Sequence, residues 1–182
     1  MIGGLAKNRT SSKVNMDVVH GLYNALMRLA RSPVFYNRFM VPDTVDGRYD
    51  LMCLMLGLFL FRTQQIQPET AQALFDHAFK DVERGLREAG IGDLSVPKHM
   101  KKMLAAFYGR AAAYYEALEQ QDTAGLAIVV TRNLYNGDMN APSGSMAEWV
   151  RIAWQYLASV DSNEFLSQPE MILELVPPEY QD

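Results

Sequence analysis

The chain has 182 residues, with 17 Lys and Arg against 21 Asp and Glu, so its formal net charge is −4. This length is typical of one domain, and 49% hydrophobic with 21% charged residues is the composition of a globular protein with material for a core. The mild acidity argues against a dedicated nucleic-acid binder, which is usually strongly basic. The single cysteine excludes an intrachain disulfide and a multi-cysteine metal site.

The first 15 residues are predicted to form a flexible basic arm. They carry Lys7, Arg9 and Lys13 without an acidic residue, and they lack the apolar core of a secretory signal. We expect residues 16–176 to form one helical domain and residues 177–182 to be a tail, because regular structure should end at Pro177-Pro178. Deletion of residues 1–14 is then expected to leave the melting temperature nearly unchanged.

Apolar residues recur at helical spacing from Asp17 to Arg31, and a short aromatic-rich helix is predicted over residues 32–40. Residues 41–47 form a connector whose Asp and Thr residues are good helix N-caps. An apolar helix follows from about Arg48 to Gln65. Its apolar run, Tyr49 to Phe61, has 13 residues, whereas a membrane span needs about 20. We therefore predict the central helix of a soluble bundle.

The second half of the chain continues the helical pattern. Helices are predicted from Pro68 to Ala89 and from Pro97 to Leu118, then from Asp122 and Thr123, as caps, to Asn136. Ser145 is expected to cap a further helix that reaches Leu157, and a last short turn covers residues 164–175. Since no segment alternates with a period of two, the predicted fold class is all-α, a single-domain bundle of six to eight helices with a central apolar helix at about 48–65.

The sequence contains no recognisable catalytic motif, and we expect no catalytic residue, no metal and no cofactor. Asp76, His77 and Asp81 share one helix, but a surface ion pair between residues four apart explains them better than a metal ligand or a base. The segment Gly90-Ile91-Gly92 follows a helix rather than a strand, which indicates a helix C-cap and not a dinucleotide loop. Cys53 lies inside the apolar run and is predicted to be buried and unreactive.

Basic and aromatic residues are interleaved after Pro97. Lys98, Lys101, Lys102 and Arg110 lie near Tyr108 and other aromatic residues, a combination that binds RNA in some proteins. In an acidic chain, a solvated face or an acidic protein partner is the favoured interpretation. The chain has eleven methionines, several of them on the apolar stripes, and these suit either a core or an adaptable binding surface.

An ordered set of motifs resembles the ubiquinol–cytochrome c chaperone family, in its short bacterial branch. The resemblance covers about residues 16–136 and is weak beyond them. It rests on residues 30–36 and 41–50, on the apolar helix that ends at Arg62, on Leu74-Phe75-Asp76, Phe79-x-Asp81-Val82-Glu83-Arg84, Leu86-Arg87-Glu88 and Gly90-Ile91-Gly92-Asp93-Leu94-Ser95-Val96, on Lys98 and Lys101-Lys102-Met103, and on Phe107-Tyr108-Gly109-Arg110, Ala113-Tyr114, Glu116-Ala117-Leu118 and Thr131-Arg132-Asn133-Leu134-Tyr135.

The resemblance implies a non-enzymatic assembly factor for respiratory complex III, ubiquinol–cytochrome c reductase, that receives newly made cytochrome b. It also implies cytochrome b or other complex III subunits as partners, with a small partner protein or the ribosome as further ones, and no DNA. The implied location is the cytoplasm, at most peripheral to the cytoplasmic face of the inner membrane. The family pattern has a His seven residues before the Arg that ends the apolar helix, where this chain has Met55, so a role of that histidine, including haem contact, is not expected here.

A hydrophobic client needs a groove between amphipathic helices, and we expect the helices at 32–40 and 97–118 to border it. The candidate client-binding residues are Phe35, Tyr36, Arg48, Arg62, Asp76, Lys98, Lys101, Tyr108 and Arg110. The charged members would form the rim, where helix capping or intramolecular ion pairing is the alternative. Three other functions stay open: a carrier of lipid or another apolar small molecule, an enzyme that uses Asp76, His77 and Asp81, and an RNA or ribosome contact through the lysines.

Overall fold

The computed structural model describes residues 14–176, which form eight α-helices and one 3-10 helix and contain no strand. The elements in chain order are α1 (Met16–Ala30), α2 (Pro33–Asn37), α3 (Val45–Ile66), α4 (Pro68–Glu88), α5 (Val96–Glu119), α6 (Thr123–Leu134), α7 (Ser143–Ser159), α8 (Ser162–Ser167) and the 3-10 helix (Pro169–Leu175). The predicted all-α bundle is confirmed.

The ends of the chain fall largely outside the described residues, so most of the predicted arm 1–15 and the predicted tail 177–182 are not described. Of the arm, Val14 packs against the core. Asn15 is the N-cap of α1, and its side-chain oxygen accepts a hydrogen bond of 3.0 Å from the backbone N–H of Asp17. These two residues therefore belong to the folded bundle.

α3 is the central helix, as predicted. It packs against α1, α4, α5, α6 and α7, and residues 51–59 are all buried. A helix that is apolar on every side must be surrounded in this way. Its start is fixed by Thr44, whose hydroxyl accepts a hydrogen bond of 3.1 Å from the backbone N–H of Gly47. The chain is so close there that a Cβ on Gly47 would lie 2.0 Å from the carbonyl oxygen of Pro42. Within residues 14–176, no helix combines the length and hydropathy of a membrane span.

Helix ends follow the predicted caps except at α7. Gly90 adopts a φ of 84° after α4, as a glycine C-cap does, and Asp122 caps α6 by accepting from the backbone N–H of Gly125 at 2.8 Å. The predicted cap Ser145 is wrong, because α7 begins at Ser143. The carbonyl of Pro142 accepts a hydrogen bond of 3.0 Å from the backbone N–H of Met146, so the N-cap is Pro142, three residues before Ser145.

The C-terminal elements close the bundle over α1 and α3. The predicted turn at 164–175 consists of the end of α8 and the 3-10 helix. Phe165 is fully buried, with its ring 5.8 Å from that of Phe59. Arg28 of α1 forms an ion pair of 2.8 Å with Glu170. This closure leaves the surface formed by α3, α4 and α5 on another part of the bundle.

Candidate functional site

An apolar groove of about 260 Å³ lies between α3, α4 and α5. Its floor consists of the small buried residues Gly57, Ala71 and Ala111, one from each helix. Four aromatic residues, one leucine and two glutamines form its walls: Phe61, Phe75, Phe107, Tyr108, Leu60, Gln64 and Gln72. A Cβ on Gly57 would meet only the ring of Phe61, at 3.8 Å, so the missing side chain leaves space in the groove.

Tyr108 is the most exposed aromatic wall of this groove, with 58% of its surface accessible. Its ring stacks on Phe75 at 5.6 Å between centroids, with an interplanar angle of 30°. Phe75 in turn contacts Phe107 at 5.7 Å, and Phe107 is buried. Tyr108 is therefore held in place from beneath while its outer face is open to a ligand, and a preordered aromatic ring offers contact area at low entropic cost.

A second group of aromatic rings extends this surface towards α7. Phe61 lies 4.7 Å from Tyr115 and 5.9 Å from Trp154, and Tyr115 is 38% exposed. Tyr115 follows Tyr108 by seven residues, so the two rings lie on the same face of α5, two turns apart. We call Phe61, Phe75, Tyr108, Tyr115 and Trp154 the open band.

Two larger cavities, of about 490 and 540 Å³, have more polar linings. The first, between α5, α6 and α7, includes Asp122 and Arg151. Asp122 is occupied as a helix cap and Arg151 is paired with Glu148, so these charges already have partners. The groove at α3, α4 and α5 is the better candidate for an apolar ligand, because all of its lining residues except Gln64 and Gln72 are apolar or aromatic.

The structure separates the predicted site residues into two regions. Tyr108 lines the groove, whereas residues 32–40 are not among its lining residues. Phe35 is fully buried, with its ring 4.9 Å from Trp149 of α7. Its side chain has no accessible surface, so a role of Phe35 in client binding would be indirect, through the packing of α2 against α7. The helix that faces α5 across the groove is α4, which a pattern on α5 alone does not reveal.

Tyr36 and Arg48 form a small site of their own beside α1 and the start of α3. The Tyr36 hydroxyl donates to the carbonyl of Ala30 at 2.8 Å, and the Arg48 guanidinium lies 5.6 Å from the Tyr36 ring centre. Arg48 also pairs with Asp43 at 2.6 Å. Both side chains are thus engaged within the chain.

Arg62 and Asp76 each follow an aromatic wall residue of the groove in sequence. The guanidinium of Arg62 is half-buried and donates from Nη2 to the carbonyl of Val160 at 2.6 Å. Asp76 is exposed and accepts from the amide of Gln72 at 2.8 Å. Gln72 lines the groove, so this hydrogen bond from Asp76 orients the Gln72 amide there.

Arg110 points into the bundle, where it forms an ion pair of 2.9 Å with Asp50. The side chains of Arg110 and Asp50 are 24% and 5% exposed, so the pair joins α5 to α3 beneath the surface. Burial raises the pKa of Asp50 to about 6 even though Arg110 lowers it. Cys53 of α3 is buried, as predicted, and burial raises the pKa of its thiol to about 12.

Lys98 and Lys101 are exposed in the first two turns of α5. Lys101 precedes Tyr108 by seven residues and therefore lies on the same face, about 10 Å along the axis. Met55, at the position where the family pattern has a histidine, is fully buried in α3.

Asp76, His77 and Asp81 do not act as one group. The Tyr23 hydroxyl donates to Asp81 at 2.5 Å, and Arg84 pairs with the same carboxylate. Desolvation and the neighbouring His20, whose ring lies 4.9 Å away, lower the pKa of His77. In residues 14–176, no three His, Cys, Asp or Glu side chains are grouped so as to hold a metal ion.

Sequence reasoning identified Tyr108 and missed Gly57, Phe61, Phe75, Tyr115 and Trp154. The missed residues belong to three further helices or to a later turn of α5. A signal was present for Tyr115, which repeats Tyr108 after seven residues. The remaining residues become neighbours only through helix packing, which the sequence pattern does not specify.

Comparisons with known proteins agree with this architecture. The sequence model of the family described as "Ubiquinol-cytochrome C chaperone" matches residues 37–171. The crystal structure of the Cbp3 homolog from Brucella abortus is similar, with 36% sequence identity and a TM-score of 0.77, over 84% of this chain and 87% of that one. No curated protein sequence matches significantly. Because the family match covers most of the chain and agrees with a similar solved structure, the chain belongs to the ubiquinol–cytochrome c chaperone family.

Proposed function

We propose that this protein is a non-enzymatic assembly chaperone of complex III and that it holds an apolar segment of newly made cytochrome b in the groove between α3, α4 and α5. Family membership supports the link to ubiquinol–cytochrome c reductase. The observation that carries the choice of surface is the exposed ring of Tyr108 beside a groove with a small-residue floor.

An amphipathic or apolar helix binds such a groove by inserting bulky side chains between its walls. The small residues of the floor leave room for these side chains, and the aromatic walls contribute contact area that is removed from water. Each 100 Å² of apolar surface that is buried contributes roughly 2.5 kcal/mol before the costs of association. Burial of a transmembrane segment in this way would limit its aggregation before insertion.

The charged residues have different roles in this proposal. Lys98 and Lys101 lie at one end of the groove face and Asp76 at its edge, where they would orient the client. Arg62 would act at the far end of the open band, near Trp154. Tyr36 and Arg48 would bind a separate part of the client. Arg110 and Phe35 would act indirectly, by fixing α5 and α2 to the rest of the bundle.

The alternative is a carrier of lipid or another apolar small molecule. It uses the same apolar groove but predicts a different ligand. Sites for drug-sized molecules usually have volumes of about 300–1,000 Å³ and enclose most of the ligand. The groove is about 260 Å³ and has an exposed wall, which favours one or two side chains of a longer segment.

Affinity capture from cells that make cytochrome b tests the proposal. The full chain should recover cytochrome b, and Tyr108→Ser should reduce recovery several-fold. Ile128→Ser is the matched control, since Ile128 is 69% exposed on α6 and is not a groove residue. Equal recovery by both variants would contradict the proposed surface. Co-purified lipid in native mass spectrometry, without cytochrome b, would support the carrier instead.

A further inference from the structure

The loop between α4 and α5 presents an aliphatic side chain to solvent. Leu94 is 99% exposed, whereas Val96, two residues later, is 1% exposed and anchors the loop to the bundle. A single exposed apolar residue is common on protein surfaces and indicates nothing alone. Its charged surroundings distinguish it.

The segment that contains this loop, residues 80–102, carries more basic than acidic residues. Residues 80–102 contain six Lys or Arg and four Asp or Glu, a net charge of +2 in a chain of net charge −4. All four acidic residues form ion pairs with the arginines of α4: Asp81 and Glu88 with Arg84, and Glu83 and Asp93 with Arg87.

Four lysines remain, Lys80 on α4 and three at the start of α5. Lys98, Lys101 and Lys102 are exposed, and none has a carboxylate within 4 Å in the part of the chain that the structure describes. Lys101 and Lys102 follow Lys98 by three and four residues, so each lies beside Lys98 on the helix surface. The N-terminal end of the α5 dipole adds partial positive charge at the same place.

We propose that the Leu94 end, which we define as Leu94, Lys98, Lys101 and Lys102, docks on a bilayer that contains anionic phospholipid. The lysines would contact headgroup phosphates while Leu94 enters the boundary between headgroups and acyl chains. An exposed aliphatic residue four positions before the first of these lysines suits a lipid surface. RNA sites usually pair positive charge with aromatic stacking, and the exposed ring of Tyr108 lies about 10 Å from Lys101 along α5. Lys98 and Lys101, which the proposed function places at one end of the groove, would serve both contacts, and the Leu94 and Tyr108 variants separate the two.

Docking by one leucine and three lysines is weak and reversible, because peripheral membrane binding adds small contributions. Each lysine near an anionic surface should contribute about fivefold to the partition coefficient. Removal of the Leu94 side chain should lower it by about tenfold. The attraction should also fall as salt is raised, because the charges are exposed.

Vesicle flotation of the full chain tests this inference. We expect binding to vesicles of equal parts phosphatidylcholine and phosphatidylglycerol, and little binding to phosphatidylcholine alone. Leu94→Ser and the double variant Lys98→Gln with Lys101→Gln should each weaken binding, with circular dichroism unchanged. Met139→Ser is the matched control, because Met139 is 85% exposed in another loop that lacks this cluster of lysines.

Several results would overturn the inference. These are no binding to the anionic vesicles, equal binding to both vesicle types, or equal effects of Leu94→Ser and Met139→Ser. Binding that neither the Leu94 nor the lysine variants change would assign membrane contact to another surface, such as the basic residues before Val14. Binding of an RNA oligonucleotide that needs the lysines and not Leu94, without vesicle binding, would assign this end to nucleic acid. Tyr108→Ser should leave vesicle binding unchanged, which separates this test from that of the groove.

Discussion

Two aromatic clusters of this protein have similar composition and opposite exposure. Phe35, Phe39 and Trp149, the closed cluster, are 0%, 5% and 8% exposed. In the open band, Tyr108 and Tyr115 are 58% and 38% exposed. The closed cluster joins α2 to α7, whereas the open band has no element over its outer face within residues 14–176. We infer that the first cluster serves stability and the second serves contact with a partner.

The largest expected effect is the loss of stability when the closed cluster is truncated. Phe35→Ala should lower the free energy of unfolding by about 3–5 kcal/mol, because it removes a buried ring and leaves a cavity. Tyr108→Ala should cost less than about 1 kcal/mol, since most of that ring is already solvated. Urea unfolding of both variants measures the difference. Similar losses would show that Tyr108 is a core residue and would remove the contrast between the clusters.

The buried ion pair beneath α5 should give stability a pH dependence. Burial raises the pKa of Asp50 from 3.8 to about 6, so the folded protein holds this proton more tightly than the unfolded chain. The stabilisation that protonated Asp50 gives the folded protein is fully present below about pH 4 and is lost as the pH rises through about 6. It amounts to at most about 3 kcal/mol of the free energy of unfolding.

Urea unfolding between about pH 4 and pH 7.5 should therefore show a smaller fall in stability for Asp50→Asn than for the unaltered protein. Glu148→Gln is a control, because its exposed ion pair with Arg151 contributes little. An unchanged pH dependence in Asp50→Asn would mean that Asp50 remains ionised under α5 at all these values.

The smallest effect on stability is expected at the floor of the groove. Gly57→Ala should raise the free energy of unfolding by about 0.5–1 kcal/mol, because alanine restricts the unfolded chain and its Cβ has space. Gly57→Leu should fill the groove and reduce recovery of cytochrome b several-fold in affinity capture. If Gly57→Leu remains folded and recovers as much client as Gly57→Ala, the floor does not contact the client.

The sequence was sufficient for the helices and for their caps in most places. The period of apolar residues identified α1, α4, α5 and α6, since each buried stripe follows one helical face, whereas α3 was identified by its continuous apolar run. The predicted N-cap of α7, Ser145, lies three residues after the observed N-cap, Pro142, because serine is a favoured N-cap residue and proline is not. The carbonyl that opens the helix belongs to Pro142, which only the backbone shows.

The candidate site was predictable where it depends on one helix and not where it depends on several. The buried stripe of α5 contains Phe107, Ala111 and Tyr114, which leaves Tyr108 on the surface. Phe35 also appears in an aromatic-rich segment, but whether α7 covers it depends on how the helices pack. Arg110 is predicted at the rim of the groove, because its ion-pair partner Asp50 lies on another helix and the sequence does not show that the two meet.

Site-specific photo-crosslinking in cells that make cytochrome b tests the central claim most directly. A photoreactive phenylalanine analogue in place of Tyr108 should crosslink to cytochrome b, while the same analogue in place of Ile128, which is also exposed, should not. Crosslinks from position 128 but not from position 108 would contradict the account, as would the absence of cytochrome b from both.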